Sequence, residues 1–78
     1  MPDYDAVYTY SQVTLDEGGR TFYYRTRNPE LKVGDKVIVP VGRRYEKKEG
    51  TILSMEEFIG REAPWPLTET KHIIEKVK

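Results

Sequence analysis

Seventy-eight residues hold one domain, and a chain of this size buries only ~60% of its unfolded surface, so its core is small. Thirteen basic side chains balance thirteen acidic ones, which argues against a protein that coats nucleic acid through bulk charge but leaves room for a local basic patch. The absence of cysteine excludes disulfide staples, thiolate metal sites and thiol nucleophiles. No stretch is apolar for long enough to span a bilayer, and Met1-Pro2-Asp3-Tyr4-Asp5 lacks the basic and apolar regions of a signal peptide. A soluble cytoplasmic protein is therefore expected.

Tyr4 to Leu15 reads as the first strand, with Val7, Thr9, Ser11, Val13 and Leu15 on one parity and Tyr8, Tyr10 and Gln12 on the other. Polar residues fall on both parities, as in a strand that bends midway. Asp16-Glu17-Gly18-Gly19 is the strongest hairpin signal, because paired glycines accept the positive φ of a tight reversal. It returns the chain into a second strand, Arg20-Thr21-Phe22-Tyr23-Tyr24, in which Phe22 and Tyr24 share a face and Tyr23 points the opposite way.

A polar loop containing Asn28-Pro29 leads to Val33-Gly34-Asp35 and a third strand, where Val37, Val39 and Val41 alternate with Lys36 and Ile38. Pro40 cannot donate to a ladder and belongs near a strand end or an edge. Arg43 to Gly50 reads as a charged loop at the tip of a second hairpin whose returning strand is Thr51–Met55. Gly60 weighs against a long helix, so Glu56 to Glu62 reads as an extended or looped tail. Ala63-Pro64-Trp65-Pro66 must be extended, since each proline drives its predecessor out of the α region. Pro66 to Thr70 suits one helical turn with proline in the first position. Lys71 to Lys78 fits a helix or a strand equally on pattern alone. Short strands with turn signals between them predict an all-β fold, a small closed or partly open antiparallel barrel in one domain over residues 1–78.

Catalysis finds little footing. His72 is the only histidine, which supports neither a zinc site nor a nucleophile–base pair. The pairs Asp16/Glu17 and Glu56/Glu57 sit in polar stretches where solvated charge is the ordinary explanation, and no glycine motif cradles a phosphate. No enzyme activity, cofactor or metal is expected. Binding is better supported. Arg43, Arg44, Lys47 and Lys48 flank Tyr45, a mixture that can neutralise phosphates and offer a base a stacking surface, although Glu46 and Glu49 make a neutral hairpin tip the blander reading. Trp65, between two prolines, reads first as a plug for the open end of a small barrel and second as a ligand platform.

The ordered set Arg20-Thr21-Phe22-x-Tyr24, then Gly34-x-x-Val37-x-Val39-Pro40-x-Gly42, then Gly50, then Pro66-Leu67-x-Glu69-x-Lys71-x-Ile73-Ile74-Glu75 resembles the N-terminal DNA-binding domain of the primosomal replication-restart helicase family. The resemblance covers about Val13 to Val77 and implies a free-standing copy of that domain. It implies a small β-barrel with a last strand after the helical turn. It also implies a pocket for the 3′-terminal nucleotide of a DNA strand, built from Phe22, Gly42 and Lys71; Arg43 and Arg44, from the basic stretch around Tyr45, are expected beside it. Where that family typically carries an aspartate that hydrogen-bonds the nucleotide, this chain carries Tyr23. The expected partner is single-stranded DNA. The alternative is a protein-interaction module that uses an exposed sheet edge or the Pro64-Trp65-Pro66 segment.

Overall fold

The computed structural model describes residues 3–77; Met1 and Pro2, and Lys78 at the end of the expected last strand, lie outside it. Five strands form one antiparallel sheet: β1 (Val7–Leu15), β2 (Thr21–Thr26), β3 (Lys36–Val41), β4 (Glu46–Ile59) and β5 (Glu75–Lys76), in the order β2-β1-β4-β3-β5. The fold is mainly β, as expected, and the curled sheet is a partly open barrel. Its two outer strands are joined by the segment around His72. Arg25 N–H donates to the Lys71 carbonyl at 2.9 Å and Ile73 N–H to the Arg25 carbonyl at 3.0 Å, forming one parallel bridge. From Ile74 onward the same segment bonds to β3 instead, through Ile74 N–H to the Ile38 carbonyl and Val77 N–H to the Lys36 carbonyl. The ambiguous C-terminus is thus extended, and only its Glu75–Lys76 stretch is regular strand.

The first hairpin forms where the glycine pair placed it, with Thr14 opposite Thr21. The second hairpin differs from expectation. Arg43 to Gly50 is not a long charged loop: the turn is confined to Gly42–Tyr45, and Glu46 to Thr51 pairs with β3 from Val41 back to Lys36. Thr51 to Met55 belongs to the same 14-residue strand and pairs with β1. β4 therefore changes partners along its length, and Gly50 and Thr51 are bonded on both sides. Glu46 to Glu49 are in register with β3 alone, and a strand bonded along one flank can leave its other flank and the side chains of Glu46, Lys47 and Glu49 in solvent while it runs on.

Gly50 marks the crossover. A Cβ there would lie 2.6 Å from Val13 Cγ1 and 2.9 Å from the Thr14 carbonyl oxygen, so only glycine allows β1 and β4 to approach this closely. Just beyond, the β1–β4 register slips between Gln12 and Val13, leaving exposed Leu53 as the extra residue. The bulge turns β4, while β1 keeps its alternation and is covered on both faces around its middle. Ser11, Val13 and Leu15 are buried on one face, and Tyr10 is buried on the other.

The core contains Val13, Leu15, Tyr24, Leu31, Val37, Val39 and Ile52. Val13, Val37 and Val39 are fully enclosed, each contributing ~1.5–3 kcal/mol of apolar burial. The Tyr24 hydroxyl crosses this core to donate to the Pro40 carbonyl at 2.9 Å. Outside β1, Tyr10 is roofed by the segment after the 3-10 helix Gly60–Glu62. Its hydroxyl donates to the Trp65 carbonyl at 2.7 Å, and Leu67 and Thr70 are buried beside it. Pro66 to Thr70 is a hydrogen-bonded turn, with Glu69 N–H and Thr70 Oγ1 both donating to the Pro66 carbonyl. The one helical turn falls earlier, at Gly60–Glu62. Among the described residues no helix is long and apolar enough to cross a membrane.

Candidate functional site

β2 and the end of β3 converge on one end of the barrel, and the Trp65–Lys71 segment closes the third side. Between them lies a cleft of about 510 Å³ whose walls include Phe22, Tyr23, Gly42, Trp65, Glu69 and Lys71. Four of the six residues expected at a site thus line one cavity. Arg43 and Arg44 do not: they occupy the turn after Gly42, fully on the surface, and neither forms an ion pair among the described residues. Their basic charge beside Tyr45 placed them at the site, but the tight turn carries them past the rim.

Each lining residue has a local reason for its position. Phe22 shares the inward face of β2 with Tyr24, yet it lies past the enclosed core and stays 36% exposed. Tyr23 points the other way. Its phenol accepts a hydrogen bond from Gln12 Nε2 at 2.9 Å, which fixes the ring and leaves the O–H free to donate. Gly42 opens the β3–β4 turn at φ 75°, a conformation that a Cβ would strain, and the space around it is empty.

Lys71 spans the mouth. Its Nζ donates to the Gly42 carbonyl at 2.7 Å and stands 4.6 Å from the centre of the Tyr45 ring. Tyr45 takes a positive φ of 52°, so the same turn that exposes the glycine carbonyl also presents an aromatic face to the lysine. Arg20 and Lys71 face one carboxylate, Glu69, leaving the cleft with a modest positive excess.

Trp65 is the residue that sequence reasoning misplaced. It does not plug the barrel end: it is half exposed and lines the cleft, with its backbone held by Tyr10. Flanking prolines restrict the backbone and say nothing about the side chain's direction. Glu69 was also missed as a lining residue, because its place depends on the turn that Pro66 and Thr70 close.

His72, next to Lys71, lies on the other side of the segment. Burial and then the charges of Arg25 and Arg27 hold its imidazole below the ordinary histidine range. Burial pushes the Tyr24 phenol above its usual value. Among the described residues no cluster of three or more histidine, aspartate or glutamate side chains is placed to hold a metal ion. Comparison with known proteins finds no matching family model, no matching curated protein and no matching solved structure.

Proposed function

We propose that this chain is a non-catalytic binding module of the cytoplasm, and that its cleft takes the 3′ end of a single DNA strand at sites of replication restart. The observation that carries the reading is the meeting of Phe22, Tyr23, Gly42 and Lys71 around one cavity, although they come from three separate stretches of chain. Exposed Phe22 and Trp65 offer faces for a terminal base or sugar, and stacking of this kind is tolerant of base identity. Lys71 has three donors and spends one on Gly42, leaving two for a phosphate oxygen. Tyr23 replaces a carboxylate acceptor with a phenol that can donate to the terminal 3′ oxygen. The cysteine-free composition suits a reducing compartment.

The test is fluorescence anisotropy at low salt, with short single strands ending in a free 3′-hydroxyl or a 3′-phosphate. Tighter binding to the free hydroxyl, weakening as salt rises, is the expected result. Equal binding to both would reduce the cleft to a generic backbone contact. No binding to either at tens of micromolar protein would overturn the DNA reading in favour of a protein partner at the Pro64-Trp65-Pro66 surface.

A further inference from the structure

β2 continues beyond the cleft. Two residues after Tyr23, about 7 Å along the strand and on the same face, comes Arg25. Here Arg25, Arg27, His72 and Tyr8 line a second hollow, of about 380 Å³, on the outer side of the barrel seam. No aspartate or glutamate lines it. In a chain with equal numbers of acids and bases, two arginines around one carboxylate-free hollow form a local concentration of positive charge, and the sole histidine adds a neutral imidazole beside them.

These arginines are also unspent. Lys36, Lys48, Arg61 and Lys76 each pair with a carboxylate, whereas among the described residues Arg25 and Arg27 pair with none. The Arg25 guanidinium stands 5.1 Å from the centre of the Tyr8 ring, and its Nε–H is buried without an acceptor. A planar fork of donors steadied on an aromatic ring is suited to a tetrahedral oxyanion. The groups facing His72 are Arg25, Arg27 and Tyr8 on this side, and Tyr45, Glu69 and Lys71 on the other. Consecutive residues Lys71 and His72 therefore link the cleft to the hollow.

We propose that Arg25, Arg27 and His72 form a second site that binds phosphate oxyanions, either a phosphodiester of the strand whose 3′ end occupies the cleft or a free phosphate compound. The strand form rests on the DNA reading of the cleft; the anion site itself does not. A strand that passes from the cleft over Lys71 and His72 brings its next phosphates towards Arg25.

The experiment follows the His72 ring by NMR, where a single histidine gives one unambiguous set of signals. Wild type and Arg27→Gln are titrated with pH, first with pyrophosphate and then with 3′-hydroxyl deoxythymidine strands from the dinucleotide to the hexanucleotide. Arg27 is exposed and outside every strand, so its replacement leaves the fold intact. Pyrophosphate should raise the His72 pKa in wild type by offsetting the arginine charges. The Arg27→Gln protein should start higher and respond less. For strands, affinity should rise with length, and the slope of log affinity against log salt should be shallower by about 0.7 in Arg27→Gln, the loss of one phosphate contact. If pyrophosphate moves His72 while no strand binds, the DNA reading fails and the site stands for free phosphate compounds. If strands bind the cleft while neither they nor pyrophosphate move His72, the second site is overturned.

Discussion

Lys71 Nζ and the Gly42 carbonyl oxygen meet at 2.7 Å, so a side chain near the C-terminus latches the turn that ends β3. The bond sits at the mouth of the cleft, where it does little for the fold and much for the charge that a ligand meets. An exposed contact of this kind contributes no more than about 1 kcal/mol to stability. Lys71→Glu should therefore remain folded, with thermal unfolding close to wild type, while strand affinity falls at least tenfold, or about 1.4 kcal/mol. Lys71→Met should fall in between, since it removes a cation without adding an anion. Trp65, the only tryptophan, is a built-in reporter: strand titration should change its emission in wild type and not in Lys71→Glu.

Tyr24→Phe tests the brace across the core. The substitution keeps the ring and deletes the hydroxyl that reaches the buried Pro40 carbonyl. Leaving that acceptor unpaired should destabilise by about 1–3 kcal/mol in chemical denaturation. A change smaller than a few tenths would mean that water reaches Pro40.

Gly50→Ala tests the crossover of β4. The added methyl meets Val13 and the β1 backbone together, and backbone cannot move aside as a side-chain tip can. A loss of about 1–3 kcal/mol is expected from overpacking, with the β1–β4 amides between Val13 and Ile52 exchanging faster. Gly42→Ala provides the contrast, because its methyl enters open space and the strain comes from the positive φ alone.

Stability should depend on pH through His72. Its folded-state pKa is lowered, chiefly by burial and then by Arg25 and Arg27, so below the ordinary value of 6.5 the unfolded chain binds more protons than the folded one. The unfolding free energy should be unaffected by this group above that value and decline as pH falls below it, levelling off under the folded pKa. His72→Gln should flatten that part of the profile. A wild-type curve that rises between pH 7 and 5 would contradict the sign.

Legibility in the sequence followed the strength of local constraint. Alternation in Val37, Val39 and Val41 fixes a strand and its buried face, because a one-residue slip would turn all three to solvent. The glycine pair at 18 and 19 fixes a reversal for the same local reason. Glu46 to Glu49 misled because charge density tracks solvent exposure, and a strand can be solvated along its side chains while its backbone is paired with a neighbour, here β3. For the candidate site, Phe22, Tyr23, Gly42 and Lys71 emerged from an ordered motif, whereas Trp65 enters the cleft through a contact that spans the chain, Tyr10 with the Trp65 carbonyl, and Glu69 follows on the turn behind it. No spacing rule encodes such a contact.

The single bridge between Arg25 and His72 has a consequence for how the molecule breathes. Most of the barrel is stitched by continuous ladders, but its seam is fastened by two backbone bonds, and these flank Lys71 and His72. Unfastening them releases an extended peptide from between two strand edges at small free-energy cost relative to global unfolding. A bound strand touching residues on both sides would act as a suture. Ligand affinity and closure of the ring would then be one equilibrium, so the amides of Arg25 and Ile73 should gain exchange protection in step with occupancy.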